Sequence, residues 1–183
     1  MYIAVCPRCG SIEFNEYCTD KYSIWYGENG VESELINTYD CDYIECANCN
    51  LEWYEEIDIP DDKYREIIRI EDNSRRLVEF VKYLGDLVLN KYEELSTGDL
   101  TQYVSYLCTV IEKRDFNDPV ENAIRFAYTY LREVLNNSEI VEKIRNEDPY
   151  IIEHINSVLN SFEDWLRKRR NENNSQEVED DEE

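Results

Sequence analysis

Four cysteines in two Cys-x-x-Cys pairs, Cys6/Cys9 and Cys46/Cys49, are the residues of this chain best equipped for chemistry. Each pair sets two thiolates on one tight turn. Together they supply the four soft ligands of a tetrahedral structural Zn²⁺ site, one ion per chain. Four thiolates close the coordination shell and leave water no position, so the expected role of the metal is structural, not catalytic. A module of some sixty residues buries little core, and a bound ion is the usual remedy.

Two further cysteines, Cys18 and Cys41, lie between the pairs. With Asn29-Gly30 as a hairpin loop they face each other across two strands. A cross-strand disulfide, a redox pair and two half-buried thiols are all compatible with that placement. Cys41-x4-Cys46-x2-Cys49 also has the spacing of plant-type ferredoxin ligands, which keeps a redox or iron–sulfur protein as an alternative. Against it, the next cysteine is Cys108, in a helical pattern, and Cys6/Cys9 are left without a task. The count of seven cysteines is odd and no export signal precedes the first pair, so reduced thiols and a cytoplasmic setting are expected.

The segment carrying these thiols has period-two hydrophobicity at Ile12/Phe14 and Tyr22/Ile24/Tyr26. The Asn29-Gly30 loop predicts Ile24 opposite Leu35, Tyr26 opposite Ser33 and Trp25 opposite Glu34. One face then carries Tyr22, Ile24, Tyr26, Val31 and Leu35. Tyr43/Ile44 and Leu51, Trp53 and Ile57 are further strand candidates. The order of knuckle, antiparallel strands, knuckle and closing strand, with Cys6-Pro-Arg-Cys9-Gly10 and Cys46-Ala-Asn-Cys49, resembles the zinc-ribbon superfamily over residues 1–60. The resemblance implies a β fold held by zinc and no particular activity. Ribbons that stimulate RNA cleavage by polymerase carry an adjacent Asp-Glu pair at the hairpin tip. Here the tip is Glu28-Asn29-Gly30, so that activity is not implied.

From Asp61 the period lengthens to about 3.6. Tyr64, Ile67 and Ile68, then Leu77, Phe80, Val81, Leu84 and Val88, form an apolar stripe. Asp72-Asn73-Ser74 either breaks it with a new cap or is passed over. Thr97-Gly98-Asp99 reads as a stop, followed by a helix with Leu100, Tyr103, Val104, Leu107 and Ile111. Asp118-Pro119 and Asp148-Pro149 each read as an N-cap with proline in the first turn, and Ser138 as the cap of a short helix. Cys108 falls on an apolar face as an inert thiol. The lone His154 has no signature partner, and its expected role is structural or at the surface. Residues 61–170 are thus a bundle of four to six helices, giving an α+β chain overall. The linker Ile57–Asp62 is too short for a free tether, so the two modules should touch. Residues 171–183 read as a disordered acidic tail.

The net charge is −23, distributed as about −11 over residues 1–60, −5 over 61–170 and −7 over 171–183. Zinc modules that grip nucleic acid carry a basic footprint, because phosphate neutralisation drives that binding. Direct nucleic-acid binding is therefore disfavoured, and a protein partner with a basic surface is expected. No apolar run approaches a membrane span. Motifs for phosphate loops, histidine metal sites and catalytic triads are lacking. The leading expectation is a non-enzymatic adaptor or regulator, with Tyr22, Trp25, Tyr26 and Trp53 as candidate contact residues. The alternative is an acidic mimic of nucleic acid that inhibits a nucleic-acid-binding protein. Arg167-Lys168-Arg169-Arg170 reads as a nucleic-acid or localisation patch or, more simply, as the C-terminus of a helix whose dipole it complements.

Overall fold

The chain divides where its hydrophobic period changes. The computed structural model describes residues 2–27, 30–53, 57–113 and 121–180, and over 16–27, 30–44 and 171–180 the description is of the backbone. Among the described residues five strands come first: β1 (Tyr2–Ile3), β2 (Phe14–Gly27), β3 (Gly30–Cys46), β4 (Glu52–Trp53) and β5 (Ile57–Asp58). Six helices follow: α1 (Asp61–Ile68), α2 (Asn73–Asn90), α3 (Thr97–Glu112), α4 (Glu121–Asn136), α5 (Ser138–Glu147) and α6 (Ile151–Asp180). This is the expected α+β order, with antiparallel strands ahead of a helical region.

Strands β2, β3 and β4 form one sheet in that order, and β1 pairs with β5 in a second. The β2–β3 hairpin is long, and its register differs from the expectation. Tyr22 pairs with Leu35, Ile24 with Ser33, Trp25 with Glu32 and Tyr26 with Val31, ending at Gly27 opposite Gly30. Gly30, expected in the loop, is thus the first residue of β3, and Glu28 and Asn29 lie outside the described residues. The offset moves each pairing by two residues, which preserves the side-chain period, so the expected face keeps its members. Nearer the base, irregularities between Thr19/Lys21 and Tyr17/Cys18 reset the ladder. Cys18 then falls opposite Cys41 after all, and Phe14 opposite Cys46.

Capping chemistry sets the helix starts. The Asp72 carboxylate accepts from the Arg75 amide at 2.7 Å, so the α1/α2 break is taken. Two expectations are corrected here. Thr97-Gly98-Asp99 is not a stop but the first turn of α3, because the Ser96 hydroxyl accepts from the Asp99 amide at 3.0 Å. α2 ends earlier, at Asn90. Likewise α5 is capped by Asn137, whose side chain accepts from the amides of Glu139 and Ile140, and Ser138 is the first helical residue. Asp148 does cap locally, accepting from the Tyr150 amide at 2.9 Å, with regular helix from Ile151. Asp118-Pro119 lies outside the described residues. The α6 backbone continues through Asp180, where composition predicts a disordered tail, so Arg167-Lys168-Arg169-Arg170 lies inside the helix and not at its C-terminus as expected. A helix already nucleated by packed turns adds residues such as Glu and Gln at little cost.

Helix α3 is the axis of the bundle. Leu100, Tyr103, Val104, Tyr106, Leu107, Cys108, Val110 and Ile111 are all buried, and α2, α4, α5 and α6 pack around them. A Cβ on Gly85 would stand 2.3 Å from the Tyr130 ring, which shows how closely α2 and α4 approach. The core does not stop at the bundle. Ile3 of β1 and Ile57 of β5, with Val5 and Ile59 that follow these strands, are buried in the same cluster as Phe80, Tyr106 and Ile111. Each such side chain contributes about 2 kcal/mol.

Hydrogen bonds link helix side chains to the backbone of the N-terminal segment. The buried Tyr106 hydroxyl donates to the Val5 carbonyl at 2.7 Å, and its ring meets Phe80 edge-on at 5.2 Å. The Tyr103 hydroxyl donates to the Asp58 carbonyl at 3.3 Å. In the other direction, Arg8 Nε donates to the Lys113 carbonyl at the end of α3, 3.1 Å away, where a cation also complements the helix dipole. The modules touch, as the short linker requires. Tyr106→Phe keeps the ring contact but leaves the Val5 carbonyl without this donor. A loss of about 1–2 kcal/mol is expected, read from the urea midpoint of the metal-loaded protein; an unchanged midpoint would show that this bond does not hold the docking.

Candidate metal centre

The two Cys-x-x-Cys segments adopt the same turn. In the first, the Gly10 amide donates to the Cys6 carbonyl at 2.8 Å, and the Cys6 amide to the Ser11 carbonyl at 2.8 Å. In the second, the Asn50 amide donates to the Cys46 carbonyl and the Cys46 amide to the Leu51 carbonyl, both at 2.9 Å. The fourth residue after the leading cysteine takes a left-handed backbone in each: Gly10 at φ 75° and Asn50 at φ 55°. Glycine and asparagine are the residues that tolerate that region best. The Ala47 amide donates to the Glu13 carbonyl at 2.9 Å and ties the second turn to the exit of the first.

These matched turns bring Cys6, Cys9, Cys46 and Cys49 together, with all four sulfurs within 4.8 Å of one another. Cys6 Sγ lies 3.6 Å from Cys49 Sγ, and Cys9 Sγ lies 3.6 Å from Cys46 Sγ. Four sulfurs at about 2.3 Å from a central ion would be separated by about 3.8 Å. The spacing therefore suits a tetrahedral ion and is far too long for a disulfide, whose S–S bond is about 2.05 Å. The sequence-assigned ligand set is thus brought together as one cluster that can hold a metal ion.

Cys6 and Cys46 are fully buried, and Cys9 and Cys49 are half-buried. Leu51 and Trp53, both buried, pack against the cysteines, and Phe14 stands edge-on to Trp53 at 4.8 Å. Trp53 is therefore part of the wall of the metal centre. This corrects its assignment as an exposed contact residue: the strand alternation that put Leu51 inside puts Trp53 inside as well. Of the other candidate contacts, Tyr22, Trp25 and Tyr26 keep their place on the hairpin ladder, and their side chains lie outside the described residues. The same holds for Cys18 and Cys41. Cys108 is buried in α3. His154 is exposed, with Nε2 3.6 Å from the Glu112 carboxylate.

Without an ion, the thiols share protons. A hydrogen bond from Cys6 lowers Cys9 to about 4, helped by the Asn48 side chain and the Ser11 amide. The same bond raises Cys6 well above the ordinary thiol range, and burial adds to it. Burial pushes Cys49 up to about 11.

Sequence reasoning passed over two residues that hold this centre to the bundle. A Cβ on Gly10 would lie 1.9 Å from the Asn73 carbonyl oxygen, at the start of α2. Gly10 is thus demanded twice, by its φ and by the close approach of two backbones. Arg76 is buried on α2, and its Nη1 donates to the Gly10 carbonyl at 2.9 Å and to Asn73 Oδ1 at 2.6 Å. Its Nη2 donates to the Ile70 carbonyl. Burial lowers the Arg76 pKa, opposed by the charges of Asp72 and Glu13. The available signal was its position four residues before Phe80 and eight before Leu84, on the inward stripe. A cation there is a local violation that usually marks a specific contact. The chain matches no model of a known protein family, no curated protein and no solved structure.

Two outcomes follow from this geometry. Gly10→Ala should destabilise the metal-loaded protein by about 3 kcal/mol or more, and Asn50→Ala by about 1 kcal/mol, since only Gly10 combines a positive φ with backbone contact. Equal losses in chemical denaturation would contradict the docking role of Gly10. Metal binding must also expel the protons of Cys6 and Cys49, the two thiols whose pKa values are raised. Below pH 11 affinity should therefore rise with pH, and protons should be released as the ion binds. Calorimetry in buffers of different ionisation enthalpy counts them, and no proton release would mean that the cluster is not the binding site.

Proposed function

We propose that this chain is a non-enzymatic adaptor or regulator, in which a structural zinc ion sets a ribbon on a helical bundle and the ribbon hairpin presents a protein-binding surface. The single observation that carries this reading is the closed cluster of four cysteine sulfurs, walled by Trp53 and Leu51 and braced against α2. Four thiolates around one ion leave no coordination position for a substrate or for water, so the metal serves architecture. An all-thiolate tetrahedral set suits zinc or iron, and we take zinc, the ion of structural four-cysteine sites.

The hairpin is the natural presenting element. β2 spans 14 residues and β3 spans 17, while β4 pairs with β3 only at Ile44 and Glu45. The ladder from Phe14 to Gly27 is roughly 40 Å long, and its base is at the metal centre. Tyr22, Ile24, Tyr26, Val31 and Leu35 share one face of the arm, an aromatic and apolar set suited to contact with a protein. The acidic segment around it favours a partner with a basic surface and works against direct contact with nucleic acid.

An affinity pull-down from native lysate with wild-type protein, at graded salt, tests this reading. A specific protein partner is expected, and Tyr22→Ala/Tyr26→Ala should lower its recovery about tenfold while metal content stays at the wild-type level. Recovery of nucleic acid in place of a protein would contradict the reading, as would binding that ignores both the arm substitutions and salt.

A further inference from the structure

The hairpin ladder changes register twice, and both changes flank one pair of cysteines. From Gly27/Gly30 down to Lys21/Ile36 the pairing is regular, and continued unchanged it would set Cys18 opposite Tyr39. From Phe14/Cys46 up to Tyr17/Tyr43 it is regular again, and continued outward it would set Cys18 opposite Asp42. Only the short stretch between the irregularities pairs Cys18 with Cys41 and Thr19 with Asp40. Asp20 alone on β2 is matched by Asn37-Thr38-Tyr39 on β3, and Asp42 is the extra residue at the second shift. The bulges thus do what a uniform ladder would not: they align two thiol-bearing positions.

We propose that Cys18 and Cys41 are a redox-active dithiol, distinct from the metal centre, which low-molecular-weight disulfides close to a cross-strand disulfide, cationic disulfides fastest. Directly paired residues of an antiparallel ladder share a face of the sheet, with Cα atoms about 4.5 or 5.5 Å apart depending on the pair type. Both values fall in the 4.4–6.8 Å window that a disulfide spans. The pair is also too far along the ladder to join the metal. Cys18 is four residues from Phe14 and Cys41 five from Cys46, roughly 13–17 Å of strand, whereas the four metal-site sulfurs lie within 4.8 Å of one another.

The chemistry is balanced thiol–disulfide exchange. One cysteine thiolate attacks a sulfur of the small disulfide; that S–S bond breaks and one small thiol leaves with a proton. The second cysteine attacks the protein sulfur of the mixed disulfide, expelling the other small thiol. The protein loses two protons and two electrons, and the small disulfide is reduced to two thiols. Near the pair the chain carries Glu16, Asp20, Asp40, Asp42 and Glu45 against the single cation Lys21. That field concentrates cationic disulfides and repels anionic ones.

The test treats the metal-loaded full-length chain with cystamine, a dicationic disulfide, followed by acid quenching, alkylation and peptide mass mapping. A product lighter by two hydrogens is expected, with Cys18 linked to Cys41 and the metal retained. Cys18→Ser should instead stop at a stable cystamine adduct on Cys41. At low salt closure by cystamine should be about tenfold faster than by anionic glutathione disulfide, and the gap should narrow as salt is added. Stable adducts on both cysteines without a link would overturn the proposal. Linkage confined to Cys6, Cys9, Cys46 and Cys49 with loss of metal would do the same. Equal rates for the two disulfides at low salt would overturn the charge preference. None of these readouts depends on finding a protein partner, so the dithiol and the adaptor reading fail separately.

Discussion

Everything N-terminal to the bundle depends on bringing four sulfurs from two distant turns into one cluster. Cys6 and Cys49 are 43 residues apart in the chain, yet their sulfurs lie 3.6 Å apart. Closing a loop of that length costs conformational entropy, and four thiols packed at such a distance repel once ionised. The apolar material at hand to compensate is small: Leu51, Trp53 and Phe14 around the cysteines. Coordination of a metal ion would supply what this miniature core lacks, because ligand binding free energy becomes folding free energy.

The centre is not an isolated bead on a string. Gly10 serves both the first Cys-x-x-Cys turn and the seat of that turn on α2, where its carbonyl accepts from the buried Arg76. Arg76 needs those main-chain oxygens, since a buried guanidinium without acceptors is costly. Val5 and Ile3 immediately precede the first turn and lie inside the bundle core. Strain or loss at the metal thus reaches the bundle through covalently adjacent residues. Conversely, the bundle holds the first turn ready for the ion.

Much of this was legible in the residues. The Cys-x-x-Cys spacing named the four ligands. The change of period at Asp61 located the start of the helices, and the Asx and Ser caps positioned most of them. What escaped was tertiary. Trp53 looks like a contact residue because an aromatic in a two-residue strand carries no sign of which side the core is on. Gly10 looks like a turn glycine, and its second task appears only when α2 is laid against it. The hairpin register was missed because Gly30, read as half of an Asn-Gly loop, instead pairs with Gly27 as the first residue of β3. Ser138 lost the cap to Asn137 because either side chain suits the position and sequence alone does not choose between neighbours.

On the proposed reading the metal has a purely structural task, and the long hairpin, with its alternating aromatic positions and acidic flanks, is the surface through which the chain acts. Elemental analysis of protein purified without added metal, read together with its absorption spectrum, tests the base of that assignment most directly. One zinc per chain and a colourless solution are expected. Iron with visible absorption, or folded protein carrying no metal at all, would contradict it.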